Sequence, residues 1–441
     1  MTAPGTIAVS TLGCRLNQVE SREILALFEG RGFRPASANE RPQVHVVNTC
    51  TVTGRADFSD RQAIRRIARD NPDALLVVTG CYAQTDAEAV ARIPGVDLVV
   101  GNQEKYRMVD LLGDLGKRPR PEIRVGDVRT SRGIPIAPLA RRSGRSRAFV
   151  KIQDGCQHRC AFCIVPAARG GSRSQEPDVV REQVEALVDA GYREITLTGV
   201  DIGHYGRDLT PRTGLAALIA RLADVRDLRW LRLSSVLPAY WSDELIEAVT
   251  GTPAVVPHLH LPLQSGSDRV LQLMRRPYNL RMFRALVERL AGAIPDLGLG
   301  TDLIVGHPGE EDDDFGATLR VVEELPLSYL HVFPYSDRKG TEAAGRDGHV
   351  APRAIRERSA RVRALGRAKN LAFRRALVGR RHEVLVLEER DRETGFLTGL
   401  TSNYVEVLFG GPADLARRFA RVRITAAGTD RTFGVLEEAD A

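Results

Sequence analysis

The chain has 441 residues, 43% hydrophobic and 27% charged, enough at roughly 100–200 residues per domain for about two to four domains with real cores. No run approaches the roughly 20 continuous apolar residues of a membrane span, and MTAPGTIAVS lacks both a basic region and a long apolar run, so no membrane insertion is expected and the expected compartment is the cytoplasm. Lys and Arg number 63 against 56 acidic residues, a net charge of +7, which admits a polyanionic partner, while sparse Trp and Tyr argue against an aromatic stacking surface.

In chain order, TIAVSTLGC, VHVVNTC, ALLVVTGC and the end of AEAVARIPGVDLVVGN read as apolar strands, with helical SREILALFEGRGF and RQAIRRIARDNP between them. Continuous apolar strands alternating with helices predict a parallel sheet covered on both faces. Residues 1–116 are therefore read as a parallel α/β domain. From 117 to 147 the pattern gives way to Pro, Gly, Ser and many Arg, the composition of a basic linker. From 148 to 376 alternation returns, with strands AFVKIQD, EITLTGV, LRWLRLSSV, PHLHLPL, LGLGTDLIVG and SYLHVFPYS and helices such as PDVVREQVEALVDAGY and LRMFRALVERLAGAI. Repeated βα units predict a barrel or part of one. After the Arg-rich helix RERSARVRALGRAKNLAFRRALVG, residues 377–441 hold short strands separated by turn residues, which predict a small all-β barrel.

In the cytoplasm thiols stay reduced, so the six cysteines read as metal ligands, nucleophiles or buried apolar residues rather than disulfides. Three of them, Cys156, Cys160 and Cys163, fall in QDGCQHRCAFC with the spacing C-x3-C-x2-C. Zinc would need a fourth ligand, for which His158 is the only local candidate, whereas three thiolates suit a 4Fe-4S cluster with one open iron. Both readings stay open on spacing alone. The other three, Cys14, Cys50 and Cys81, each end a predicted strand of one parallel sheet. Parallel strands align those ends, so the three can converge as a second three-thiolate site or stand as unrelated buried cysteines.

With Phe162 before its last cysteine, the C-x3-C-x2-C stretch resembles the signature of the radical S-adenosylmethionine (SAM) superfamily. TLGCRLNQVES, VNTCTVTGRAD, VTGCYAQ, QDGCQHRCAFCIVPAARG, LTGVDIGHYG, HLHLPLQSGSDRVLQLMRR, TDLIVGHPGE, VFPYSDRKGT and SNYVEV, in that order along the whole chain, resemble the methylthiotransferases of that superfamily. VTGCYAQ and KIQDGC resemble most the branch acting on tRNA that carries N6-threonylcarbamoyladenosine at position 37. The other branches act on N6-isopentenyladenosine in tRNA or on a ribosomal protein. A non-catalytic, zinc-stabilised RNA-binding protein is the alternative from a different class.

The resemblance implies a radical SAM core at 148–376, a TRAM-like RNA-binding barrel at 377–441 and two 4Fe-4S clusters. One, on Cys156, Cys160 and Cys163, would bind SAM and cleave it to the radical that attacks C2 of adenine. The other, on Cys14, Cys50 and Cys81, would carry the sulfur. It places Phe162, Thr198, Gly199, Gln264 and Asp302 near SAM. It also implies as partners the tRNA anticodon loop, an electron donor such as a flavodoxin or ferredoxin, and a sulfur source. Two residues depart from the family pattern: Asp201, where Asn is common, and His307, where an apolar residue is common.

Overall fold

The apolar runs of the first third alternate between two packed faces. In the computed structural model, which describes residues 5–37, 39–135 and 146–439, strands β1 (Thr6–Thr11), β2 (Arg34–Pro35), β3 (Val44–Thr49), β4 (Leu75–Gly80), β5 (Leu98–Val100) and β6 (Glu122–Arg124) form one sheet. Its order is β2-β1-β3-β4-β5-β6 and every pair is parallel. Val44, Val46, Leu75, Val77 and Leu98 pack with Ile24 and Phe28 of the helix Arg15–Glu29. Val47, Leu76, Val78 and Val99 pack on the opposite face with Ile64 and Ile67 of the helix Gly54–Asp70. Helices cover both faces, so both sets of alternate side chains are apolar.

Within 117–147, the stretch read as a basic linker, β6 adds a sixth strand by pairing with β5. Three residues, two of them charged, are too short and polar a run to stand out as a strand, and the pairing at a sheet edge supplies what the sequence pattern does not. Residues 136–145, which include most of the RRSGRSR run, lie outside the described residues.

The central part contains β7 (Arg147–Lys151), the short antiparallel pair β8 (Gln153–Asp154) and β9 (Arg173–Ser174), then β10 (Glu194–Thr198), β11 (Trp230–Leu233), β12 (His258–His260), β13 (Gly298–Val305) and β14 (Tyr329–Pro334). Two three-stranded parallel sheets, β11-β10-β7 and β12-β13-β14, are joined by the parallel bridge Leu231↔Val255. Together they make an arc from β7 to β14, the partial βα barrel expected from the alternation. Ala148, Val150, Ile195, Leu197, Leu231, Leu233, Leu259, Leu299 and Leu303 face outward into the largest core, against Val180, Val184, Leu218, Phe283 and Val287 of the surrounding helices. The intervening Arg147, Phe149, Lys151, Glu194, Thr198, Arg232, His258, His260 and Asp302 therefore line the inner side.

A closed barrel of order β15-β16-β17-β19-β18 ends the chain, built from β15 (Arg381–Arg390), β16 (Leu397–Thr401), β17 (Glu406–Phe409), β18 (Phe419–Ala427) and β19 (Thr432–Ala439). Val384, Val386, Leu397, Val407, Phe409, Val422 and Ile424 fill it. It docks on the central part through Trp230, Val256, Leu385 and Phe419, with the Trp230 and Phe419 rings edge to face at 4.8 Å. Among the described residues no helix is long and apolar enough to cross a membrane.

Candidate functional site

Strands β1, β3 and β4 are neighbours, with Thr11 opposite Asn48 and Thr49 opposite Gly80. The residues that follow them emerge on one edge of the sheet, and Cys14, Cys50 and Cys81 are among those residues. Gly13, at φ +99°, lies so close to Cys50 that a Cβ on it would sit 2.4 Å from the Cys50 Cβ and 3.0 Å from its Sγ. Gly80, at φ +97°, crowds the Thr49 carbonyl in the same way. Left-handed glycines are what let the chain turn onto this edge. Asn17 donates to the carbonyls of Leu12 (2.7 Å) and Thr49 (2.9 Å), tying the ends of β1 and β3, and its Oδ1 lies 3.7 Å from Cys14 Sγ. Burial pushes the Cys50 thiol up to about 12, and the neighbouring Cys81 and Cys14 push the same way. Burial also raises Cys81, against the opposing charge of Arg169.

The second triad sits in the loop after β8. The Cys156 N–H donates to the Gly170 carbonyl (3.0 Å), the Cys163 N–H to the Cys160 carbonyl (3.0 Å) and the Ala161 N–H to the Met274 carbonyl (3.1 Å), pinning the loop at three points. Burial pushes Cys156 up to about 12 and Cys163 to about 11. Arg276 Nη1 donates to Cys160 Sγ at 3.2 Å, and Nε donates to the Tyr278 hydroxyl at 2.9 Å. All six cysteines are free thiols. Each triad offers three free thiols, and thiols ionise when a cationic metal takes them as ligands, so the donor set of both triads fits an iron cluster. Cys156, Cys160 and Cys163 open onto a cavity of about 780 Å³ walled also by residues 125–129 and 340–342.

His158, the local candidate for a fourth zinc ligand, is turned elsewhere. Its Nε2 lies 2.7 Å from the Tyr240 hydroxyl and 3.3 Å from Asp201 Oδ2, and the Tyr240 hydroxyl donates to the same carboxylate at 3.2 Å. Asp201 in turn donates its N–H to Gln153 Oε1 at 2.7 Å. Gln153 Nε2 donates to the carbonyls of Asp154 and Gly155 and to the Ser172 hydroxyl. Asp201 is thus placed to brace the cysteine loop through His158 and Gln153.

A buried ionic cluster joins the two triads. Arg169 Nη1 donates to Glu20 (2.8 Å) and Asp154 (3.0 Å), and Nη2 to Glu20 (3.1 Å) and to the same Asn17 Oδ1 that faces Cys14 (3.1 Å). Lys105 lies 2.7 Å from Glu20, and Lys151 lies 3.8 Å from Glu20 and 3.1 Å from Glu23. Burial raises the Glu20 carboxyl, but the charges of Arg169, Lys105 and Lys151 together hold it well below the usual range. Asp154 completes the connection by accepting the Gly155 N–H at 2.8 Å, one residue before Cys156. Sequence reasoning missed Glu20, Lys105, Lys151, Asp154 and Arg169 as a group. Glu20, Lys151, Asp154, Arg169 and the Cys160 donor Arg276 lie inside quoted motifs, whereas Lys105 carries no sequence signal.

The residues expected near SAM are spread over the end of β10 (Thr198, Gly199), the loop after β12 (Gln264), the middle of β13 (Asp302) and the cysteine loop (Phe162). Thr198 closes β10 and is buried, and Gly199 follows where a Cβ would lie 2.7 Å from the Gln153 carbonyl oxygen. Gln264, at φ +72°, donates its N–H to the Asp302 carbonyl and accepts from the Ile304 N–H. Asp302 lies 3.3 Å from His260 Nε2 and 3.1 Å from His331 Nδ1; burial raises its carboxyl, but these two imidazoles hold it well below the usual range. Phe162 meets the His307 ring edge to face at 6.4 Å. Burial lowers His307 to about 4, so it packs as a neutral ring, which fits a position where an apolar residue is common in the resembled family.

Residues 150–322 match the Radical SAM superfamily, and residues 6–101 match an uncharacterized protein family, UPF0004. The chain is 39% identical to the threonylcarbamoyladenosine tRNA methylthiotransferase MtaB of Bacillus subtilis, over 96% of its own length and 94% of the relative's. It is 35% identical to the protein of that name from Aquifex aeolicus, over 91% and 96%. It is also 38% identical to a tRNA-2-methylthio-N(6)-dimethylallyladenosine synthase of Parafrankia sp., over 92% and 83%. Among solved structures, the radical S-adenosylmethionine methyltransferase TsrM of Kitasatospora setae shares the fold, with a TM-score of 0.56 at 14% identity over 78% of this chain and 77% of that one.

Proposed function

The chain belongs to the radical SAM methylthiotransferases, and from that premise we propose that it adds a methylthio group to C2 of N6-threonylcarbamoyladenosine in the anticodon loop of tRNA. Family membership makes it an enzyme and sets aside the zinc-stabilised binding module. The observation that carries the reading is the pairing of two three-thiol sites, one on the strand-end edge of the first parallel sheet and one in the loop after β8, joined by one buried ionic cluster.

Cys156, Cys160 and Cys163 would hold one 4Fe-4S cluster and Cys14, Cys50 and Cys81 a second. Bound there, the clusters and SAM supply the one-electron and sulfur chemistry that an unreactive aromatic C–H requires and that no side-chain base provides. The protein's own work is positional. Arg276 donates to Cys160, Gln153 and Asp201 brace the loop, and Arg169 fixes the two thiol sites relative to each other. Thr198, Gly199, Gln264, Asp302 and Phe162 would line the SAM side of the inner space. The Arg-rich helix Pro352–Ala376 and the terminal barrel would neutralise tRNA phosphates. An electron donor such as a flavodoxin or ferredoxin and a sulfur source complete the reaction.

A second branch, N6-isopentenyladenosine, is favoured by the 38% identity to the Parafrankia protein. Reconstituted enzyme given two anticodon stem-loops, one with each modified adenosine, separates them by nucleoside mass spectrometry. The proposal expects the methylthio product from the threonylcarbamoyl stem-loop; product from the isopentenyl stem-loop alone would overturn it.

A further inference from the structure

Among the described residues, the inner floor of the central arc carries a cation with no carboxylate of its own. Tyr404, from the turn between β16 and β17, stacks on His258 at 4.4 Å. Three guanidinium groups surround its ring: Arg232 at 4.9 Å, Arg15 at 5.5 Å and Arg147 at 5.9 Å from the centroid. Among the described residues, fully buried Glu194 is the carboxylate that pairs with these guanidinium groups. It binds Arg232 through contacts of 2.8 and 3.4 Å and lies 4.0 Å from Arg147. Among the described residues Arg15 has no carboxylate partner; its contacts are the Tyr404 hydroxyl and the faces of Tyr404 and Phe149. Burial together with Arg232, His260 and Arg15 pushes His258 well below its usual range, as a local excess of positive charge requires. Three cations sharing one anion in a half-dry space are costly unless a ligand brings a second anion.

We propose that Arg15 is the receptor for the carboxylate of the threonylcarbamoyl group, and is therefore the residue that selects this substituent over an apolar one. The inference rests on the substrate reading given above. Arg15 follows Cys14 directly and reaches the inner face at Phe149, so it stands between the first thiol site and the space where the substrate base must lie. Arg147 and Lys151 mark opposite ends of β7, about 13 Å apart at strand rise. The guanidinium floor therefore lies toward the start and middle of β7, on the side away from the Cys156 loop that follows its end, where the carboxylate of SAM would sit. tRNA phosphates belong outside, on the basic helix. A carboxylate at the tip of the N6 substituent is the anion that reaches this depth, and a guanidinium fork matches it in two hydrogen bonds.

The test uses the reconstituted full-length enzyme and two anticodon stem-loops, one with threonylcarbamoyladenosine as the free acid and one with its methyl ester, a neutral probe of nearly the same shape. Binding (Kd) and kcat/KM for methylthio product are measured for the wild type, Arg15→Gln and Arg15→Lys. The wild type should prefer the acid by about 10–100-fold, the range of a charged hydrogen-bonded pair. Arg15→Gln should lose that factor on the acid and nothing on the ester, and Arg15→Lys should fall between. Equal handling of acid and ester by the wild type, or equal losses on both in Arg15→Gln, would overturn the proposal while leaving the substrate reading intact. A raised KM for SAM in Arg15→Gln with an unchanged acid-to-ester ratio would assign the anion to SAM and overturn it as well. Failure of the wild type on both stem-loops, with product from isopentenyladenosine, would remove the substrate reading and this inference with it.

Discussion

Arg169→Gln is the perturbation that most directly loads the joint between the two thiol sites. The guanidinium is buried and makes four polar contacts between 2.8 and 3.1 Å, to Glu20, Asp154 and Asn17. Removing one partner of a buried ionic group costs about 3–5 kcal/mol because the opposite charge is left uncompensated. Here Glu20 keeps Lys105 at 2.7 Å and Asp154 keeps Arg173 at 3.5 Å, so the lower end, about 3 kcal/mol, is expected. At 1.4 kcal/mol per decade this corresponds to roughly 100-fold faster opening. Hydrogen exchange followed by mass spectrometry should show it in the helix Arg15–Glu29 and in residues 154–169, with β16 and β17 unchanged. Arg169→Lys, which keeps the charge and loses the fork, should lie between. In turnover, the ratio of methylthio product to 5′-deoxyadenosine should fall as the two sites lose their fixed relation. Unchanged exchange in both segments, or an equal rise across all three parts of the chain, would refute the argument.

Three further outcomes are expected. Burial lowers His45 to about 4 from an ordinary 6.5, so the folded sheet keeps it neutral while the unfolded chain protonates it. The stability this protects is full above pH 6.5 and is lost as pH falls, by about 2 kcal/mol at pH 5; exchange of β3 should show that loss, and His45→Gln should flatten it. Leu385→Ala removes a fully buried side chain from the seam with Trp230 and Phe419 and should cost about 2–4 kcal/mol, read as a lower urea midpoint for the terminal barrel. Asp201→Asn keeps an acceptor for the Tyr240 hydroxyl and should retain cluster iron through gel filtration, whereas Asp201→Ala leaves Tyr240 and His158 without it, a cost of about 1–3 kcal/mol, and should shed iron measurably faster.

Periodicity made the parallel first sheet, the central βα series and the terminal barrel legible, because each is repeated over many residues. The convergence of Cys14, Cys50 and Cys81 on one edge was legible because a parallel sheet aligns its strand ends wherever they fall in sequence, whereas Cys156, Cys160 and Cys163 stood out by their spacing alone. Strand β6 was not, being three residues whose strand character comes from its neighbour. Arg15 with Tyr404, and Arg169 with Glu20, were invisible because each pair joins residues 389 and 149 positions apart through single contacts that no local pattern announces. The seam carries a practical consequence. Arg232 Nη1 donates to the Ser402 carbonyl at 3.0 Å and Tyr404 forms the inner floor, so deleting the terminal barrel would disturb the central part along with any RNA contact.

The account's central claim is that the chain carries two separate three-thiol cluster sites. Iron analysis of anaerobically reconstituted wild type against the variant with Cys14→Ala, Cys50→Ala and Cys81→Ala tests it most directly. The expected result is about eight irons per chain in the wild type and about four in the variant, at four per three-thiolate cluster. Equal iron in the two folded proteins would contradict it.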